Sequence, residues 1–461
     1  MKFIFTVLLN LWCMALISHS ALATEHDAAS KILFNNVNIF DGKTNRLQNS
    51  MNVLVVDNKI EKISELPIGV QDGARVVNGN GRTLMPGLID AHAHVANVGH
   101  KKMEMDYDKG DVGIMSSVKA LGYLMDGFTS IRDVGGPAFP VRRAIDGGHV
   151  PGPRIYPSGA FISQTSGHGD LRHYNDPNPT LTGIVSSNRE RMGYTIVVDG
   201  RARVLAAVRQ NLMQGATQIK IMGGGGGASK YDPIDVTQFT EDEIRAAVEA
   251  ADDWGTYVTA HVFTSKAIKR LIGAGLKCVE HAFFADEETI KLIARKGVFV
   301  STQTWGLSPR LFEHPNVMKG KHAAIRKAHA NAQNFVPWLM KHKVKVAFGT
   351  DGIGLEGGQK SRRYELHWRA QMFGSNFEVL KQATSVAAEL LALSGPRNPY
   401  PGKLGVVEEG AYADLLLVDG NPLSDLSVLG ATEQWFDAPT PGPIDTLHMV
   451  MKDGVIYKDK M

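Results

Sequence analysis

Residues 218–281 read QIKIMGGGGGASKYDPIDVTQFTEDEIRAAVEAADDWGTYVTAHVFTSKAIKRLIGAGLKCVEH. Gln218–Ile221 is a predicted strand, apolar except for Lys220, and a glycine run follows it. Thr240-Glu241-Asp242-Glu243 is a capping box. Behind it Ile244, Ala247, Val248 and Ala251 recur at helical spacing, and Gly255 stops the helix. Tyr257–Ala260 predicts the next strand, ending at His261. A helix from about Ser265 runs to the Gly273 and Gly275 pair, and the strand Lys277–Glu280 ends at His281. Strand, loop and helix alternating over short connections predict a parallel sheet.

Extended over residues 86–399, this alternation predicts an α/β fold, a (β/α)8 TIM-type barrel. A doubly wound sheet is the runner-up, but no G-x-G-x-x-G follows the first strand. The flanks read differently. Ile32–Ile39 and Met51–Val56 are β-rich, with Asp57-Asn58 as a hairpin turn. Near the other end, Ala413–Val418 is an apolar strand and Met449–Tyr457 a hairpin around Asp453-Gly454. Residues 24–85 and 400–461 are therefore expected to pair into one small β-sandwich domain. Residues 1–23 read as a cleavable signal peptide: Lys2, an apolar run from Phe3 to Ile17, then Ala21-Leu22-Ala23. The expected location is secreted or periplasmic, with no membrane attachment after cleavage.

The 461 residues are 43% hydrophobic and 21% charged, which excludes a disordered or collagenous chain. Lys+Arg 50 against Asp+Glu 47 is too balanced for a binder of phosphate backbones, so no nucleic-acid partner is expected. Two cysteines make no disulfide framework.

The candidate chemistry lies at predicted strand ends. His92-Ala93-His94 follows the strand-like Leu84–Asp90, and residues two apart on a strand face one side, so both imidazoles can reach one metal ion. His261 and His281 each end a predicted strand, and Asp351 ends Lys345–Thr350. Lys220 sits inside a strand, where an unpaired ammonium is costly to bury. In a barrel the C-terminal strand ends share one crater. Each residue alone has a plain structural reading, such as a helix cap for Asp351 or a snorkelling Lys220. All six together point to a metal site.

The chain resembles the amidohydrolase superfamily, in the subgroup of prolidase-like dipeptidases, Xaa-Arg(Lys) carboxypeptidases and ochratoxinase-like amidases. The matching stretches include Pro86–His94, Gly127–Asp133, Gly152-Pro153-Arg154, Gly167–Asp170, Lys220-Ile221-Met222, Val279-Glu280-His281, Gly349-Thr350-Asp351 and Gly410–Asp414. The resemblance implies that residues 86–399 form a metal-dependent hydrolase barrel with two divalent ions, Zn2+ being favoured. His92, His94 and Asp351 would hold one ion, His261 and His281 the other, and a carbamylated Lys220 would bridge them. It implies hydrolysis of a small-molecule dipeptide or N-acyl amino acid by a metal-bridging hydroxide, with Asp351 as proton shuttle.

His168, after the third predicted strand, and Tyr231, after the fourth, are candidates to stabilise the oxyanion or grip the substrate, and Arg172 and Lys230 to bind a substrate carboxylate. Two alternatives stand beside this reading. A single-metal deaminase or cyclic amidase of the same superfamily would lack Lys220, and a non-catalytic scaffold would lose ligands that are all present. Oligomeric state is open, a homo-oligomer included. The Gly223–Gly227 run predicts a mobile or unusually open pocket wall, and the basic stretch Met318–Lys327 a solvated helix face.

Overall fold

The computed structural model describes residues 30–69, 73–99, 107–185 and 187–461. The signal-peptide segment lies outside the described residues.

Ten strands form two parallel sheets. One has seven, in the order Thr195–Val197, Phe161–Ser163, Ile219–Met222, Val258–Thr264, Cys278–Phe284, Phe299–Thr302 and Val346–Phe348. The other has three, Leu88–Ala93, Phe128–Asp133 and Arg154–Pro157. The sheets meet along two seams. At one, Thr217 N–H donates to Pro157 O at 2.8 Å. At the other, Asp351 N–H donates to His92 O at 2.8 Å. Helices separate most successive strands, as the alternation predicts. Glu241–Asp252 starts on the Thr240–Glu243 capping box and buries Ile244, Ala247 and Ala251. Ser265–Gly273 occupies the predicted span.

The terminal segments join in a third, eight-stranded sheet, where Leu415–Val418 runs antiparallel to Thr83–Pro86. Period-two alternation splits that strand between two cores. Leu415 and Leu417 pack with Phe34, Val53 and Met449 of the same sheet. Leu416 and Val418 pack with Tyr123, Phe128 and Leu366 of the helical body.

The predicted strand Leu84–Asp90 is two strands in different sheets, Thr83–Pro86 and Leu88–Ala93, divided at Gly87. A Cβ on Gly87 would lie 2.0 Å from Thr129 Oγ1, so only glycine lets the chain cross there. Strands predicted to stop at His261 and His281 instead continue past them, to Thr264 and Phe284.

Arg154 ties the parallel strands to the terminal sheet. Its Nε donates to Asp414 at 3.0 Å and its Nη2 to Asp453 at 2.7 Å, and both Arg154 and Asp414 are buried. Arg154→Ala leaves the Asp414 carboxylate buried without its cation. The expected cost is about 3 kcal/mol of folding stability, read as a lower denaturant midpoint. A midpoint equal to the parent's removes this pair from the account of how the layers hold together.

Candidate functional site

Four imidazoles converge at the C-terminal ends of the parallel strands. Each has one ring nitrogen committed to an oxygen that accepts, which sets the tautomer and leaves the other nitrogen with its lone pair. His92 Nδ1 lies 2.7 Å from Glu280 Oε2, His94 Nδ1 2.9 Å from Gly135 O, and His281 Nδ1 2.6 Å from Gln303 Oε1. These three present Nε2. His261 is reversed: its Nε2 lies 3.1 Å from Gly225 O, so it presents Nδ1. The rings are close, with centroids 4.9 Å apart for His92 and His281 and 4.5 Å for His261 and His281.

Burial favours the neutral form of His92, His261 and His281. It lowers the pKa of His92 to about 4, helped by the charge of Lys220, and that of His281 to about 3. The His261 pKa is also driven well below its ordinary value by burial. Asp351 lies 3.3 Å from His94 Nε2 and 3.6 Å from His92 Nε2. Burial alone would raise its pKa, but His92 and His94 outweigh that and hold it far below the carboxylate range. Donor atoms of His92, His281 and Asp351 all lie within 4.8 Å of one another, so they can hold one metal ion.

The sixth predicted ligand, Lys220, is fully buried, and burial lowers its pKa. The carboxylates of Glu280 and Asp351 oppose that lowering without overcoming it. A buried amine held toward its neutral form, beside unprotonated imidazoles and two carboxylates, fits a site built for cations.

Consecutive strand residues normally face opposite sides, yet Glu280 and His281 both serve this site. His281 and Ala282 have φ of 67° and 62°, in the left-handed region, which breaks the alternation; Asp351 is left-handed too, at 50°.

A cavity opens above these groups. His168 lines it and stacks on His261, centroids 4.0 Å apart and planes 15° off parallel. The other three candidates are not brought to it. Arg172 is committed to Asp170 through two hydrogen bonds of 2.7 and 2.5 Å. Lys230 is exposed, with Nζ 5.1 Å from the centre of the half-buried Tyr231 ring, and Tyr231 packs toward Tyr174. Sequence reasoning had missed Phe263, Phe283, Phe284, Trp305 and Arg189, which do line the cavity. Phe263 and Phe283 each lie two residues beyond a predicted histidine ligand, on strands now seen to continue, and that spacing was the available signal.

The glycine loop is neither open nor loose. Gly223–Gly226 are buried, and a Cβ on Gly226 would sit 1.9 Å from His168 Cε1, one on Gly225 1.8 Å from Pro233 O. These glycines permit close approach, which corrects the expectation of a mobile wall.

A sequence profile described as "Amidohydrolase family" matches residues 83–456. An ochratoxinase of Aspergillus niger is 32% identical over 382 residues, 78% of this chain and 77% of that protein. Among solved structures, a prolidase complexed with N-methylphosphonate-L-proline superposes at TM-score 0.81 with 33% identity, covering 94% of this chain and all of that one. A Xaa-Pro dipeptidase with bound methionine gives 0.78 and 28%, covering 93% and 100%.

Gly226→Ala should displace the His168 ring and lower turnover by about 100-fold, whereas Gly227→Ala, whose Cβ meets nothing nearer than 3.7 Å, should stay near the parent rate. Steady-state kinetics with melting curves checks both. Equal rates for the two variants would show that the ring's place is unimportant.

Proposed function

The chain belongs to the amidohydrolase family and hydrolyses amide C–N bonds, and we propose that it uses two divalent metal ions to cleave dipeptides or N-acyl amino acids bearing apolar or aromatic side chains. The observation that carries this reading is the convergence of four tautomerically fixed imidazoles, Asp351 and Lys220 beneath an apolar cavity.

On this reading residues 86–399 close into a (β/α)8 barrel. The seam bonds Thr217 to Pro157 and Asp351 to His92 support closure, with Arg154–Pro157 and Phe161–Ser163 as two parts of one strand. Residues 24–85 and 400–461 form the β-sandwich, whose inner face is the sheet's own apolar cluster. The first 23 residues export the protein.

His92, His94 and Asp351 would hold one ion and His261 and His281 the other, with Zn2+ the ion best suited to imidazole and carboxylate donors. Charge supports the Lys220 carbamate. An ammonium among these donors would repel a divalent ion. When the neutral amine adds carbon dioxide, an N–C bond forms, a proton leaves, and the side chain becomes an anion able to bridge two cations. Bound ions supply Lewis-acid polarisation of a carbonyl and a water that ionises near neutral pH.

The chain's own groups do the rest. Asp351 takes the proton of the attacking water and passes it to the departing amide nitrogen. Its lowered pKa keeps it ionised at neutral pH, the form a proton acceptor needs. His168 faces the bound substrate from the cavity wall.

The wall also selects. Phe263, Phe283, Phe284, Trp305, Leu311 and Ile325 make it largely apolar. Among the described lining residues the only carboxylate is Asp351, so a substrate guanidinium or ammonium would be buried unpaired.

Metal analysis of the purified protein should find about two ions per chain. On a panel of N-acyl-Phe, Xaa-Leu, Xaa-Pro and Xaa-Arg, the apolar members should exceed Xaa-Arg in kcat/KM by about 100-fold. One ion per chain would overturn the two-ion site; preference for Xaa-Arg would overturn the reading of the wall.

Lys220→Ala should lose most bound metal and regain part of it in short-chain carboxylic acids, which can replace the carbamate. Unchanged metal content would remove the bridge.

A further inference from the structure

Beyond the metal ligands, a second polar cluster is built into the cavity wall, assembled from three separate stretches of chain. His168 Nδ1 lies 2.6 Å from Ser229 Oγ and 3.3 Å from Asp232 Oδ2. Asp232 is fully buried. It accepts from Gly226 N–H at 2.7 Å and from Lys321 Nζ at 3.2 Å. Lys321 Nζ also donates to the backbone oxygens of Gly226 at 2.5 Å and Asp232 at 2.6 Å. Lys321 was expected on a solvated face, but its side chain is only 12% exposed. The same stretch donates Met318 N–H to Gly227 O at 3.1 Å, and its following helix, His322–Ala328, places Ile325 in the cavity wall.

The chemistry of this cluster is directional. Burial alone would raise the Asp232 pKa, but the His168 hydrogen bond and charge, Ser229 and Lys321 outweigh it and hold it down to about 2. An ionised carboxylate only accepts, so Asp232 Oδ2, 3.3 Å from His168 Nδ1, favours a proton on that nitrogen, while the nearer Ser229 hydroxyl can donate or accept. Without Asp232 the ring could rotate or exchange tautomers, because its stacking on His261 fixes the plane but not which nitrogen faces the substrate. Lys321 completes the arrangement: one ammonium holds the carboxylate, the glycine backbone and the segment that covers the cavity.

We propose that Asp232 and Lys321 are positioning residues of this hydrolase: Asp232 fixes the tautomer and orientation of His168, and Lys321 fastens Asp232 and the covering segment to the glycine loop.

The test is a double-mutant comparison on the metal-loaded protein with the best substrate of the panel. Asp232→Asn keeps the side-chain size and should lower kcat by about 10- to 100-fold, with KM, metal content and melting temperature little changed. In a His168→Ala background the same substitution should cost nothing further. Equal losses in both backgrounds would mean that Asp232 acts through the fold, and would overturn the proposal. So would a His168→Ala variant at parent rate, which leaves the hydrolase reading intact. Lys321→Met should lose activity and Lys321→Arg recover it, and this pair decides the matter if Asp232→Asn does not fold. One readout needs no substrate. In protein carrying 15N-labelled histidine, His168 should give the NMR signature of the Nδ1–H tautomer, lost in Asp232→Asn. An Nε2–H tautomer in the parent protein would overturn the proposal whether or not any substrate is turned over.

Discussion

Arg132 and Glu280 are buried together, 2.6 Å apart and both fully inaccessible, at the centre of the parallel strands. A buried ion pair recovers its desolvation cost only when every remaining donor and acceptor is met. Here they are. Arg132 Nε donates to Ala91 O at 2.6 Å and Nη1 to Tyr257 Oη at 3.3 Å, while Thr259 and His92 both donate to Glu280. The pair therefore fastens four strands and, through His92, orients one of the converging imidazoles. With Nδ1 of His92 committed to Glu280, its Nε2 has only one direction to face. The separations from Asp351 and His281 follow from that direction.

A fold that concentrates buried charge must spend backbone regularity to aim it. His281, Ala282 and Asp351 are left-handed without being glycine, each at a cost of about 1–3 kcal/mol. Regular strands would send Glu280 and His281 to opposite sides, and the site would lose either a ligand or the anchor of His92. The strain at His281 and Ala282 is tolerated because the strand around them is buried from Cys278 to Phe283 and paired on both sides over Cys278–Glu280.

The predicted strand–helix alternation, the pairing of the two terminal segments and the histidines that converge were legible because each depends on local spacing or on residue type. What escaped the sequence depends on contacts between distant segments. Nothing near Glu280 says that it faces Arg132 across 148 positions, and nothing near Gln303 says that it orients His281. Tyr231, Arg172 and Lys230 were chosen because they follow strand ends. Position after a strand puts a residue in the crater's loops, but whether it points inward depends on its neighbours, and for Arg172 the nearby Asp170 decides. The boundary at Gly87 was hidden because Thr83–Pro86 and Leu88–Ala93 are equally apolar. What divides them is the Thr129 side chain, which leaves no room for a Cβ.

The same logic resolves the five glycines. Read locally, a glycine run means freedom, since each residue lacks the side chain that restricts φ and ψ. Read in the fold, it means proximity, because a loop without Cβ atoms can lie against an imidazole ring and a carbonyl at distances no other residue tolerates. Its freedom is then removed by partners from elsewhere, Asp232 accepting from the Gly226 amide and Lys321 donating to the Gly226 carbonyl. The cavity thus has two electrostatic regimes side by side. At its floor, burial outweighs the nearby carboxylates and keeps His92 and His281 neutral and able to bind cations. At its wall, an ammonium and an imidazole keep a buried carboxylate ionised. His168, stacked on a floor histidine and bonded to the wall carboxylate, is the one ring that belongs to both.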